Sequence, residues 1–292
     1  MPRLIRLLVS AGILGFIALQ FGDGVVSQLQ RIDPRWVLGG LLITVVQVIL
    51  SAWRWQFTAA RLQLTLAAGT AVREYYLATL VNQVLPGGMM GDAQRAWRHG
   101  RDAPRRAPAF QAVVIERFSG QLAMAGLALL AWWLWPPGDG LVRVGTVAGT
   151  ALTGVAVLSG GTALAIASGW RPAWLRDWWQ AVRSALLTPT VLPVQLLASL
   201  LVAGSYIAVY ACCVMALAPS GSPGDWLPLI PLVLFTMLIP ASIAGWGLRE
   251  GAAALLWPMA GLPATEGISA AVLYGGLTLL ASTPGLITLM RR

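Results

Sequence analysis

Lysine is absent from this chain of 292 residues: all 20 of its basic residues are arginine. That absence removes Schiff-base and lysine-nucleophile chemistry. Charge of either sign is scarce, at 11% of residues against 57% hydrophobic, with a mean hydropathy of +0.72. Soluble domains carry about a quarter of their residues charged, so this composition is that of a membrane protein. No long polar block interrupts it, and the chain reads as a single membrane domain. The one histidine, His99, stands in an arginine-rich stretch and reads as a solvated loop side chain rather than a ligand. Two cysteines, Cys212 and Cys213, are adjacent within an apolar run, which fits small buried hydrophobes and neither a disulfide framework nor a metal site. No phosphate-loop pattern is present, so uphill movement of any ligand would need an ion gradient, the membrane potential or a partner. No metal and no cofactor is expected.

The apolar residues fall into stretches of about 20, the length that crosses a bilayer. These cover 4–21, 36–56, 110–135, 141–168, 190–217 and 266–290. The net charge of +9 is concentrated in short loops between them, which excludes a nucleic-acid footprint. With the N-terminus in the cytoplasm, sixteen arginines fall on the cytoplasmic side, three outside (Arg31, Arg35 and Arg143) and Arg249 within the membrane. This asymmetry places both termini in the cytoplasm, in the plasma or inner membrane. Twelve of the 14 tryptophans, Trp55 and Trp226 among them, lie near span ends and read as interfacial anchors. Residues 169–189, rich in Trp and Arg, read as a connection lying along the inner leaflet.

Two further stretches, 71–98 and 227–261, are apolar but broken. The first break reads Leu85-Pro86-Gly87-Gly88-Met89-Met90-Gly91-Asp92-Ala93-Gln94-Arg95; the second reads Ile239-Pro240-Ala241-Ser242-Ile243-Ala244-Gly245-Trp246-Gly247-Leu248-Arg249-Glu250. Pro86, Gly91 and Arg95 correspond to Pro240, Gly245 and Arg249 at one offset of 154 residues. Broken segments at matching places in two halves point to a binding site near the bilayer midplane, where irregular backbone is sheltered by protein. The expectation is an all-α polytopic membrane protein of about six full spans and two re-entrant helical hairpins. Three crossings separate the hairpins, so the halves, about 1–138 and 139–292, form an inverted repeat. Simple kinking of ordinary membrane helices at the seams is the alternative.

Ionisable groups inside a bilayer cost about 2.5–3.5 kcal/mol each even on lenient scales, so they mark function or pairing. Asp92, Arg95, Glu116, Arg117, Arg249 and Glu250 are such groups, with Arg249 the candidate partner for Glu116 across a cavity. Read functionally, they line a polar cavity whose arginines bind a phosphate headgroup, helped by helix N-termini after each seam. Read structurally, they are buried ion pairs holding the broken segments in place. Gly87, Gly88, Gly91, Gly245 and Gly247 allow positive φ or close helix approach, and Asn82 and Ser242 satisfy backbone groups freed at the seams.

These residues resemble a known family. The run Tyr76 to Arg95, with Asn82, Leu85-Pro86-Gly87-Gly88 and Gly91-Asp92-Ala93-x-Arg95, is similar to the transmembrane region of lysylphosphatidylglycerol synthases and related stand-alone flippase-like membrane proteins. Glu116-Arg117, the run from Ile239 to Gly251 and Trp53-Arg54-Trp55 match as well, so the resemblance spans roughly 36–290. Trp246 departs from it, standing where the pattern has a small residue. The resemblance implies a multi-span lipid-handling protein. In full-length synthases a soluble domain transfers lysine from lysyl-tRNA to phosphatidylglycerol, and the membrane part moves the product to the outer leaflet. Only the membrane part is resembled here, so the transferase activity is not carried over and no enzyme is expected.

The substrate-binding set expected from residues and resemblance together is Asn82, Pro86, Gly87, Gly88, Gly91, Asp92, Arg95, Glu116, Arg117, Pro240, Ser242, Gly245, Gly247, Arg249 and Glu250. The partner is a membrane lipid with an anionic or phosphate-bearing headgroup; a second copy or another membrane protein is a further candidate. Besides a transporter, a membrane enzyme acting on a lipid phosphate and a non-transporting partner subunit stay open. The inverted layout is testable by labelling. With Cys212 and Cys213 removed, Asp102→Cys and Thr265→Cys should react with an impermeant thiol reagent from opposite sides of the membrane, and same-side labelling would sink the layout.

Overall fold

Pro34 lacks an N–H and fixes φ near the helical value, so it opens a helix well. In the computed structural model Asp33 precedes it as the cap, its carboxylate accepting from the Arg35 N–H at 2.9 Å. The residues described are 3–85, 88–101, 106–134, 173–237 and 244–290, and every regular element among them is helical. In order these are α1 (Arg3–Leu29), α2 (Pro34–Arg61), α3 (Ala68–Val84), α4 (Met90–Arg101), α5 (Arg106–Leu134) and α6 (Ala173–Val182), which runs on into one π-helical turn, Arg183–Leu187. Then follow α7 (Leu192–Ala216), a single turn Pro223–Trp226, α8 (Leu229–Thr236), α9 (Leu248–Met259), α10 (Ala264–Ser282) and α11 (Pro284–Met290).

Among the described residues, four stretches are long and apolar enough to cross a bilayer: Pro34–Arg61, Arg106–Leu134, Leu192–Ala216 and Ala264–Met290. They coincide with four of the expected spans. The first expected span lies within α1, and 141–168 falls outside the described residues. The last stretch is interrupted at Thr283. The ring of Pro284 removes an N–H and crowds the preceding turn, so α10 ends at Ser282 and α11 begins afresh. Leu38, Leu42, Leu197, Leu201 and Leu255 are exposed, an apolar exterior suited to lipid.

The most extensive packing is between α2 and α7. The Asp33 N–H donates to the Ala216 carbonyl at 2.9 Å at one end, and Gln195 Nε2 donates to Thr58 Oγ1 at 2.8 Å near the other. The two helices are therefore antiparallel over their length. Small residues bring the shorter helices together. α3 and α4 form an antiparallel pair in which a Cβ on Gly91 would stand 2.7 Å from Ala78 Cα. The chain's last helix returns to the same place, since a Cβ on Gly285 would meet the Tyr76 carbonyl oxygen at 2.7 Å.

Two tryptophans expected at the interface are instead core residues. Trp55 and Trp226 are buried, Trp55 beneath the Arg95 guanidinium and Trp226 among Leu229, Ile230 and Leu262. His99 is not in a loop either. It occupies the last turn of α4, its Nε2 3.2 Å from the Thr65 carbonyl oxygen and its ring edge-on to Trp55.

Close approach at Gly91 yields a stability prediction. Gly91→Ala must push α3 from α4 and should cost about 1–3 kcal/mol. Gly126→Ala on α5, where nothing lies within 4 Å, should leave the unfolding temperature in detergent unchanged or slightly raised. Equal behaviour of the two variants would show that the helices do not meet there.

Candidate functional site

Polar residues on α2 recur at Thr44, Gln47, Ser51, Arg54 and Thr58, a spacing of three and four that puts them on one helix face. All five are buried. That face carries Arg54 to the centre of the molecule, where Glu116 of α5 accepts from its Nη2 at 2.5 Å and its Nε at 3.2 Å. The other oxygen of Glu116 accepts from Arg95 Nη2 of α4 at 2.6 Å. Arg95 in turn donates from Nε to Asp92 at 3.0 Å, and Asp92 also accepts from Arg117 and, at 2.7 Å, from Asn82 Nδ2. A continuous chain of ion pairs, Arg54, Glu116, Arg95, Asp92 and Arg117, thus crosses the bundle.

Its surroundings are built to hold it. The Arg95 guanidinium lies between two rings, 4.7 Å from the Trp55 centroid and 4.5 Å from that of Tyr75. Gly120 leaves room for Arg54, since a Cβ there would stand 2.9 Å from its Nη2. Ser199 of α7 accepts from Arg54 Nη1 at 3.2 Å. At the first seam, Asn82 Oδ1 accepts from the Gly91 N–H at 2.8 Å, and Arg117 Nη2 donates to the Gly88 carbonyl at 3.0 Å. Gly88 has φ +60°, a conformation glycine adopts without penalty.

Three guanidinium groups stand against two carboxylates in this chain, leaving one positive charge. Arg54, Arg95 and Glu116 are almost wholly buried; the side chain of Arg117 is 34% exposed, so the surplus faces open space. That space is a cavity of about 190 Å³ adjoining a second of about 200 Å³, with Tyr75, Arg117, Gln121, Tyr206, Met237 and Tyr274 in the walls of both. Residues beside each seam line the first cavity: Asn82, Gly88, Met89 and Asp92 on one side, Ala244 and Gly245 on the other.

The second seam is organised differently. Arg249 does not reach Glu116. It pairs with its neighbour Glu250, which accepts from Arg249 Nε at 3.1 Å and reaches back to the Gly247 N–H at 2.6 Å, closing the first turn of α9. Trp246 and Tyr274 flank the Arg249 guanidinium at 5.0 and 5.2 Å. Gly275 makes the space, as a Cβ there would lie 2.5 Å from Arg249 Nη2. Gly245 and Gly247, at φ +82° and +87°, turn the chain into α9.

Asn82, Gly88, Gly91, Asp92, Arg95, Glu116 and Arg117 of the expected set therefore meet in one assembly beside the cavity. Gly245 joins the cavity wall; Gly247, Arg249 and Glu250 form a separate buried cluster. Pro86, Gly87, Pro240 and Ser242 lie outside the described residues. Sequence reading assigned Arg54 to a span end and missed its role, although the polar spacing on α2 carried the signal.

Compared with known proteins, residues 3–285 match a family model described as Lysylphosphatidylglycerol synthase TM region. No curated protein matches the chain.

Burial of the Arg249–Glu250 pair leads to a second stability prediction. Arg249→Ala leaves a carboxylate that is 0% exposed without its cation, and should cost about 3–5 kcal/mol. Removing both charges together should restore much of that loss, read as unfolding temperature in detergent. An Arg249→Ala protein as stable as the parent would place this arginine outside the framework.

Proposed function

The chain belongs to the Lysylphosphatidylglycerol synthase TM region family, and we propose that it binds the phosphate-bearing headgroup of a membrane lipid and passes it between leaflets. The headgroup enters the cavity while the acyl chains stay in the bilayer. One observation carries this reading: the cavity lies between the two seam regions and receives the single surplus positive charge of a buried ion chain through Arg117. The chain has one guanidinium more than it has carboxylates, and an anion beside Arg117 balances it.

The finer architecture proposed is six spans with two re-entrant hairpins, α3–α4 and α8–α9, in inverted halves. Three features support it. Among the described residues each half contains a run of long, short, short, long helices: α2, α3, α4, α5 and α7, α8, α9, α10. The leading helices of the halves, α2 and α7, are antiparallel. Each half's closing helix packs on the other half's leading helix, α5 on α7 and α10 on α2. Such halves provide a geometric route to alternating access. The arginine asymmetry supports residence in the plasma or inner membrane with both termini cytoplasmic.

Reconstituted into vesicles, the protein should speed leaflet exchange of phospholipids carrying a fluorescent acyl chain. Arg117→Ala should slow that exchange by about tenfold or more, because charge-assisted hydrogen bonds to phosphate are worth about 1.5–3 kcal/mol. Asp92 keeps Arg95 and Asn82 as partners, so the variant should remain folded. Exchange at the parent rate by a folded Arg117→Ala protein would sink the proposal.

A further inference from the structure

We infer that the outer face of α6, with the arginines around it, is a docking surface for anionic lipids of the adjoining leaflet. It is separate from the cavity and independent of what the cavity binds.

One side of α6 is fixed against the bundle. Ala181, and Ala185 in the π-helical turn, are buried with Ile115 of α5, and Trp178 stands edge-on to Phe110 at 6.3 Å between ring centroids. Gln195 Nε2, in the first turn of α7, donates to the Ala185 carbonyl at 3.1 Å. The other side is uncovered. Trp179 is 53% exposed, and Arg176 and Arg183, three positions before it and four after, are exposed with it. That spacing sets both guanidiniums on one face about the tryptophan. Neither arginine enters an ion pair among the described residues. An apolar ring flanked by cations suits the headgroup level of a bilayer, where the ring meets acyl chains and the cations meet phosphates.

Charge at this end of the bundle decides the partner. The ends of α2 and α4 and the starts of α3, α5 and α7 gather here, as the approaches of Gln195 to Thr58, His99 to Thr65 and Gly100 to Arg106 show. Among the described residues, Arg61, Arg73, Arg101, Arg106, Arg176 and Arg183 are exposed there against one exposed carboxylate, Asp177. The opposite end has no such excess: Arg31 and Arg35 share it with Asp33, Asp225 and Glu266. A strongly cationic rim attracts anionic headgroups and gains little from zwitterionic ones. Trp97, Trp174 and Trp179, exposed at the same end, favour a lipid over an acidic protein as the occupant.

The test uses the full chain in phosphatidylcholine nanodiscs, carrying Cys212→Ala and Cys213→Ala and a donor fluorophore on Gln180→Cys beside the surface. Added lipids with an energy acceptor in the acyl chain report which of them gather there. Phosphatidylserine and phosphatidylglycerol should both gather about threefold or more over phosphatidylcholine, and salt at about 1 M should remove most of that preference. Arg176→Gln/Arg183→Gln should lose most of it at an unchanged unfolding temperature, while Arg176→Lys/Arg183→Lys should keep it, because charge is what the lipid meets. Arg117→Ala should also keep it, since the cavity takes no part. Equal gathering of all three lipids, a preference for phosphatidylglycerol alone, a preference that survives Arg176→Gln/Arg183→Gln or is lost in the lysine variant, or one that disappears in Arg117→Ala would overturn the inference. Leaflet exchange does not enter this measurement, so the cavity reading and the docking surface stand or fall separately.

Discussion

Glu116 accepts from Arg54 with one carboxylate oxygen and from Arg95 with the other, and this one side chain fastens α2 and α4 to α5. In a bundle whose outer face is apolar, helices gain little by associating hydrophobically, because lipid is as apolar as leucine. Directional polar contacts then decide which helices meet and in what register. The chain of ion pairs extends that fastening to α3 through Asn82 and to α7 through Ser199. Glu116 cannot leave without stranding the Arg54 guanidinium in a medium that does not solvate it.

The two seams use arginine unequally. Arg95 bridges two carboxylates on different helices, whereas Arg249 is satisfied by the residue beside it in the chain. Aromatic rings flank both guanidiniums, Trp55 and Tyr75 around one and Trp246 and Tyr274 around the other. The positional kinship of the seams therefore survives in packing but not in charge connectivity. Surplus charge collects beside the first seam, while the region around the second contributes shape: Gly245, Met237 and Tyr274 close the cavity without adding a cation to it.

Much of this was legible in the sequence. Proline and glycine at matching places, followed by arginine, located both seams, and the family resemblance gathered Asn82, Asp92, Arg95 and Glu116 into one set. The pairing was not legible. Glu116 and Arg54 are 62 positions apart, and choosing Arg54 and Arg95 over Arg249 requires knowing which helices are neighbours. The stripe from Thr44 to Thr58 was present as a three-and-four spacing, but hydrophobic patterning alone reads such a helix as a uniform span. Trp55 misled for a related reason: tryptophan suits an interface, and here a buried guanidinium needed its ring face.

The contact between Gly285 and Tyr76 has a mechanical consequence. Tyr75, the adjoining residue, forms part of the cavity wall, and the close approach leaves α3 no room to tilt toward α11 unless α11 is displaced with it. Backbone contact alone thus ties α11 to the element that carries Tyr75.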